Sequence, residues 1–208
     1  MNTNTVEIIG YYGGDVTHAC SAWTSTNREL SSEKLDRLPK LLKYLAEHRH
    51  ETPFEKSALH FLVTTDMATH IHFLKHRIGV SLNSESARYK EVKEDNFYIP
   101  DDWSLEWQDK LKTYTKQGLK LYHECVEGLV AIGLDRKRAK ESARFFRAYS
   151  TQYQADVMFN WRSFYHFQSL RNKPEAQREI RLLAQEMLEL VRNIEGQPFK
   201  YTLDAFGL

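Results

Sequence analysis

The chain is short of cysteine, short of surplus charge and without a long apolar run, and each shortage excludes something. Cys20 and Cys125 are the two cysteines among 208 residues. Two distant thiols build no disulfide framework and fit reduced side chains in a cytoplasmic protein. A formal net charge of +1 sets up no global field for a polyanion. No nucleic-acid partner is therefore expected, and any anion must be met by local clusters of cations. No apolar stretch approaches the roughly 20 residues that cross a bilayer, so no membrane partner is expected. The start, residues 1–7, has neither the basic nor the apolar region of a secretory leader. Repeats, low-complexity tracts and linkers are lacking too.

What is present points to a packed core. Hydrophobic residues make up 41% and aromatics 12%, which excludes disorder. The length predicts a single catalytic domain over residues 1–208. Residues 6–12 read as a strand ended by Gly13-Gly14, and residues 17–27 as helical. Leu35, Leu38, Leu41, Leu42 and Leu45 recur at helical spacing, with Pro39 expected to split that helix in two. Residues 50–55 form a polar turn. Residues 60–64 read as a strand leading to a short helix capped by Asp66, with Met67, Ile71 and Leu74 as its buried stripe. Residues 103–133 read as one long helix, with Gly118 as a candidate interruption and Gly133 closing it, its buried candidates being Leu105, Leu111, Leu121, Val126, Leu129 and Val130. Asp135 then caps a helix over 136–146. Residues 149–159 read as a strand, Asn160 caps a helix to about Leu170, and a last helix runs from Pro174 to Gly196. The expected fold class is α+β, a helix-rich domain with a modest, mainly antiparallel sheet.

Function concentrates in residues 72–89, H-F-L-K-H-R-I-G-V-S-L-N-S-E-S-A-R-Y. Lys75, Arg77 and Arg88 supply three fixed cations, His72 and His76 lie four residues apart, and Gly79 marks the exit into a loop rich in hydroxyls. Such a segment suits an anionic, oxygen-rich ligand, because charge-assisted bonds and loop amides both serve oxygens. Three other readings compete. A charged segment is commonly a solvated face. Zinc needs more than His70, His72 and His76 with no cysteine nearby and no H-E-x-x-H, so no metal is expected. A nucleic-acid patch needs a larger basic surplus.

Residues 75–89 resemble the signature of the flavin-dependent thymidylate synthases: R-H-R, a spacer, Ser, then Arg-Tyr. H-E-T-P-F-E (residues 50–55), F-Y-I-P (97–100) and N-W-R-S-F-Y-H-F-Q-S-L-R (160–171) are similar to three further blocks of that family, in the same order. The resemblance implies reductive methylation of dUMP to dTMP, with 5,10-methylenetetrahydrofolate as carbon donor, FAD as hydride carrier and NADPH as reductant. It also implies a homotetramer whose active sites draw on several subunits. Flavin contacts then fall on Thr52, Lys75, His76, Arg77, Ile78, Asn160, Arg162 and His166. Nucleotide contacts fall on His72, Lys75, Glu85, Ser86, Ala87, Arg88, Arg144 and Arg171, with Arg171 polarising the uracil and Ser86 orienting it. Four positions depart from the family pattern. Lys75 stands for the first Arg, eight residues rather than seven separate Arg77 from Ser86, His72 replaces a Gln, and Glu175 replaces a His. The extra spacer residue leaves the loop's acid at either Ser84 or Glu85.

Ser86 also invites a nucleophile reading, but a serine hydroxyl needs a base, and the loop offers no His beside it. Arg162 and His166 lie one turn apart, whereas Arg171 falls about 180° from Arg162 on an unbroken helix. Either that helix ends before Arg171, or its faces serve two sites of an oligomer. The alternative function is a flavin- or nucleotide-binding relative without thymidylate synthase activity.

Overall fold

Strands β1 (Thr5–Tyr12), β2 (Ala58–Asp66), β3 (Val80–Ser84) and β4 (Gln152–Phe159) make one antiparallel sheet in the order β1-β2-β4-β3. Among the described residues eight helices accompany it: α1 (Asp15–Trp23), α2 (Ser32–Glu47), α3 (Met67–Phe73), α4 (Leu105–Ala131), α5 (Arg136–Ala143), α6 (Trp161–Arg171), α7 (Arg178–Arg192) and α8 (Lys200–Phe206). The structure is a computed structural model that describes residues 3–86, 88 and 96–208. The α+β, helix-rich expectation holds. Among the described residues no helix is long and apolar enough to cross a membrane.

The chain divides into two compact units. The first comprises residues 1–5, 64–73 and 83–155, the second residues 6–63, 74–82 and 156–208. In the first, α4 packs on α5 through buried Tyr122, Val126, Ala139 and Ala143. Gly118 does not interrupt α4. A Cβ there would sit 2.5 Å from the Phe146 carbonyl oxygen, so the glycine lets the turn Arg144–Phe146 press against the helix. Asp135 caps α5 by accepting from the Arg138 N–H at 3.2 Å, and Asp66 caps α3 by accepting from the Thr69 N–H at 2.8 Å.

The second unit is an aromatic core. Trp161 stacks on Phe199 with ring centroids 5.4 Å apart, and Phe54 meets Phe206 edge-on at 4.8 Å. At its centre lies a polar chain. The Asp15 carboxylate accepts from the Tyr201 and Thr202 N–H groups at 2.9 and 2.8 Å and from the Thr202 hydroxyl at 2.6 Å, so α1 caps the first turn of α8. Because Thr202 donates to Asp15, its oxygen is left to accept from His18 Nδ1 at 3.0 Å. His18 Nε2 then accepts from the Ser57 hydroxyl at 2.8 Å. Asp15, His18, Ser57 and Thr202 are all buried. Burial holds His18 neutral, its pKa lowered to about 4.

Several elements depart from the sequence reading. Pro39 lies inside an uninterrupted α2. Leu38, Leu42 and Leu45 pin both halves of that helix to one face, while Leu35, whose carbonyl loses its partner to Pro39, is exposed to water. In α3 the buried residues are Thr69, His70 and Phe73, not Met67, Ile71 and Leu74. That helix starts directly at the end of β2, so the strand register chooses its inward face, and it ends before Leu74. His72 and His76 therefore share no helical face. Residues 80–84, expected as loop, pair as β3. The last long helix starts at Arg178 rather than Pro174 and stops at Arg192, with α8 as a separate helix beyond it.

Candidate active site

In the second unit the cationic segment is bolted to the first turn of α6. Asn160 caps the helix by accepting from the Ser163 N–H at 2.9 Å, and its own N–H donates to the Gly79 carbonyl at 3.1 Å. The Ser163 hydroxyl donates to the Ile78 carbonyl at 2.7 Å. Only a residue without a side chain fits at the crossing. Gly79 has φ +65°, and a Cβ would lie 2.2 Å from Ser163 Oγ and 2.5 Å from Asn160 Nδ2. Gly79→Ala is thus expected to cost about 2 kcal/mol, part left-handed strain and part displaced cap. A urea titration beside wild type checks this; unchanged midpoints would refute it.

With its backbone fixed, this segment leaves Lys75 and Arg77 in solvent and Ile78 90% exposed. His76 turns inward, its ring 5.1 Å from Phe167 and 6.0 Å from His166. Arg171 Nε donates to His76 Nε2 at 3.0 Å, which leaves the imidazole proton on Nδ1. Arg171 is the last residue of α6, so the helix does not end before it. His76 bridges the expected angular gap, joining Arg171 to the side that carries His166 and Phe167. Burial lowers the Arg171 pKa, though a guanidinium stays charged. Arg162 is gripped by Glu51 and Glu55, each at 2.6 Å. The Glu55 bond, then the Glu51 charge, raise its pKa. Both carboxylates belong to H-E-T-P-F-E, and the sequence reading did not single them out. Thr52, in the turn Thr52–Glu55, is exposed.

The first unit holds a cavity of about 400 Å³, within the size range of small-molecule sites. Arg144 lines it as expected, together with Glu85 and Ser86. Ser84, the other candidate for the loop's acid, also lines it, and His70, Arg147, Tyr149 and Tyr153, which were not assigned to a nucleotide site from sequence, complete its polar wall. Glu85 is fixed to β4: its N–H donates to the Gln154 carbonyl at 2.9 Å, and its carboxylate accepts from the Gln154 N–H at 3.0 Å. Ser84 Oγ lies 3.1 Å from His70 Nε2. Both candidates for the loop's acid position therefore face the same cavity. The Ser86 hydroxyl accepts from the Arg88 N–H at 3.3 Å. The histidine of this cavity is engaged by Ser84, which suits an orienting role for Ser86. Arg147 Nε donates to the Thr151 hydroxyl at 3.3 Å. Burial raises the Tyr153 pKa and keeps its phenol a donor.

Two expected residues lie elsewhere in the first unit. His72 is half-buried on α3 and is not among the cavity residues. Arg88 Nε pairs with Glu141 at 2.6 Å, and that bond holds the Glu141 carboxyl below its usual range. Ala87 and Tyr89 fall outside the described residues. Among the described residues no group of three or more His, Cys, Asp or Glu side chains could hold a metal ion. The signal for Arg147 was the R-F-F-R run, which reads equally as surface. For His70 no local signal exists, since its partner Ser84 lies 14 residues on.

The arrangement offers two kinds of chemistry. The cavity sets two guanidinium groups beside serine and tyrosine hydroxyls, suited to a phosphate ester. The second-unit cluster sets exposed cations beside an exposed Ile78 and two imidazoles, suited to a phosphate-bearing ligand with a flat ring.

Comparison with known proteins gives concordant matches. The family described as Thymidylate synthase complementing protein matches residues 7–195. The flavin-dependent thymidylate synthase of Thermosipho melanesiensis is 30% identical over 207 residues, covering 92% of this chain and 87% of that protein. The one from Pseudothermotoga lettingae is 31% identical over 201 residues, covering 93% and 87%. The UMP/dUMP methylase PolB from Streptomyces cacaoi, bound with 5-Br dUMP, superposes with a TM-score of 0.79 at 28% identity over 99% of this chain and 95% of that one. Its form bound with 5-Br UMP gives 0.78 at 27%.

Proposed function

The chain belongs to the thymidylate synthase complementing protein family, the flavin-dependent thymidylate synthases, and from that premise we propose how its residues divide the work. It is a flavin-dependent methyltransferase that converts dUMP to dTMP. The finer assignments are ours. Methylenetetrahydrofolate supplies the carbon and NADPH the reducing equivalents. The protein works in the cytoplasm, where Cys20 and Cys125 stay free thiols. Interleaved along the chain, the two units act as one catalytic domain in a homotetramer whose sites draw on more than one subunit, so isolated monomers are inactive.

The observation that carries the substrate half is the first-unit cavity, lined by Arg144 and Arg147 together with Ser84, Ser86 and Glu85. There the guanidinium groups hold the phosphate and Ser86 orients the pyrimidine, with Ala87, Arg88 and His72 as further nucleotide contacts. The donor set of the second-unit cluster fits FAD. Lys75, Arg77 and Arg162 would hold its phosphates. Thr52, His76, Ile78, Asn160 and His166 would hold the remainder. Bound there, the flavin would supply a carrier for a hydride. Arg171 stabilises the negative charge that builds on the uracil N3–C4=O side, and it does so without first gaining a proton.

Purified protein is expected to be yellow and to form dTMP from dUMP, methylenetetrahydrofolate and NADPH. A preparation that stays colourless with excess FAD would end this reading. One that is yellow but silent with dUMP would leave a flavin-binding relative. UMP is the second substrate to assay, because PolB is named for both.

A further inference from the structure

His70 is 5% exposed, yet it lines the first-unit cavity together with Ser84, Ser86 and Arg144. Its Nε2 lies 3.1 Å from the Ser84 hydroxyl, and its Nδ1 is buried with no hydrogen-bond partner among the described residues. Asp66, the carboxylate whose charge acts on it, is occupied by the Thr69 N–H and the Asn4 amide. A buried polar nitrogen left unpaired is costly. Burial lowers the His70 pKa and only Asp66 opposes it, so the ring is neutral and carries one N–H. Ser84 can donate to Nε2 or accept from it. Nδ1 is correspondingly a donor or an acceptor, and a hydroxyl is the ligand group that satisfies both cases.

We propose that His70 is a substrate-binding residue that pairs, from a wall shared with Ser84, with a sugar hydroxyl of the nucleotide. On dUMP this is the 3′-hydroxyl, the one free hydroxyl of its sugar. The assignment rests on the reading of this cavity as the nucleotide site. His70 then reads the sugar, while Arg144 and Arg147 serve the phosphate and set no preference among sugars.

The test compares dUMP with 2′,3′-dideoxyuridine monophosphate on the FAD-loaded protein by calorimetry. Wild type is expected to bind dUMP about tenfold more tightly, the worth of one well-placed hydrogen bond in a site built for it. His70→Ala is expected to bind both ligands alike, at the level of the dideoxy compound, and to raise the KM for dUMP with kcat nearly unchanged. His70→Asn, which keeps an N–H near Nδ1, is expected to recover part of the preference; it carries the test if the alanine variant does not fold. Retention of the tenfold preference by His70→Ala overturns the assignment. Equal loss of both ligands also overturns it, because that marks a structural role. If wild type neither binds nor methylates dUMP, the nucleotide reading of the cavity falls first and takes this assignment with it. If dUMP is methylated but the dideoxy compound binds wild type equally well, only the role of His70 falls.

Discussion

Arg171→Lys is expected to lower kcat for dTMP formation by about 10²–10³-fold, the usual cost of losing one charge-stabilising donor in an active site. The substitution keeps a positive charge but removes the planar fork. In the native chain one edge of that fork is spent on His76, 3.0 Å away, while the terminal nitrogens stay available to an oxyanion. An ammonium has a single nitrogen and must choose. If it keeps His76 it abandons the uracil, and if it reaches for the uracil it releases a half-buried imidazole. Flavin retention is expected to persist, because Lys75, Arg77 and Arg162 are untouched. Steady-state rates alongside the flavin spectrum check this. A variant within fivefold of wild-type kcat would show that charge alone suffices at this position.

The second large effect concerns stability rather than chemistry. Native His18 has a pKa of about 4, against 6.5 for an ordinary imidazole. Between those values the unfolded chain takes up a proton that the native protein refuses. The contribution of neutral His18 is therefore fully present above about pH 6.5 and lost as pH falls towards 4. At about 1.4 kcal/mol per tenfold difference in proton affinity, the loss reaches roughly 3 kcal/mol. Asp15 works in the opposite sense. Burial raises its carboxyl above 3.8, so its contribution is present below 3.8 and fades as pH rises through the native value. Urea midpoints at a series of pH values should fall from pH 7 to pH 4.5 in wild type. They should lose that His18-dependent slope in His18→Asn. Asp15→Ala should cost about 3 kcal/mol at pH 7, since it strands a buried hydroxyl and two helix-terminal N–H groups. Flat midpoints across pH in wild type would contradict the directed chain Ser57–His18–Thr202–Asp15.

How much of this was legible in the sequence depends on how far each partner lies along the chain. Asp66, Asp135 and Asn160 cap helices whose N–H groups are three residues away, and all three were readable. Leu38, Leu42 and Leu45 were readable as a stripe, but not the survival of α2 through Pro39, which tertiary burial on that stripe decides. β3 was missed because V-S-L-N-S offers little to bury, and its pairing comes from β4. His18 gave no signal at all, since Thr202 lies 184 residues away. The cationic segment was found through ordered blocks, whereas the pairs that aim it were not. Glu51 and Glu55 on Arg162, or His76 on Arg171, join positions whose spacing along the chain carries no periodicity.

The chain crosses between its two units five times. As a result, no contiguous stretch of gene encodes one cluster of functional residues alone. A fragment holding Met67 through Tyr153 carries Lys75 to Gly79 along with it, and one spanning Glu51 through Arg171 carries everything. Recombination could not lend the second-unit cluster to another protein as a cassette, because the stretch from Glu51 to Arg171 encloses every residue that lines the first-unit cavity. The dependence runs one way: the second cluster cannot be inherited without the first, whereas a truncation beyond Tyr153 removes α6 and leaves every cavity residue in place.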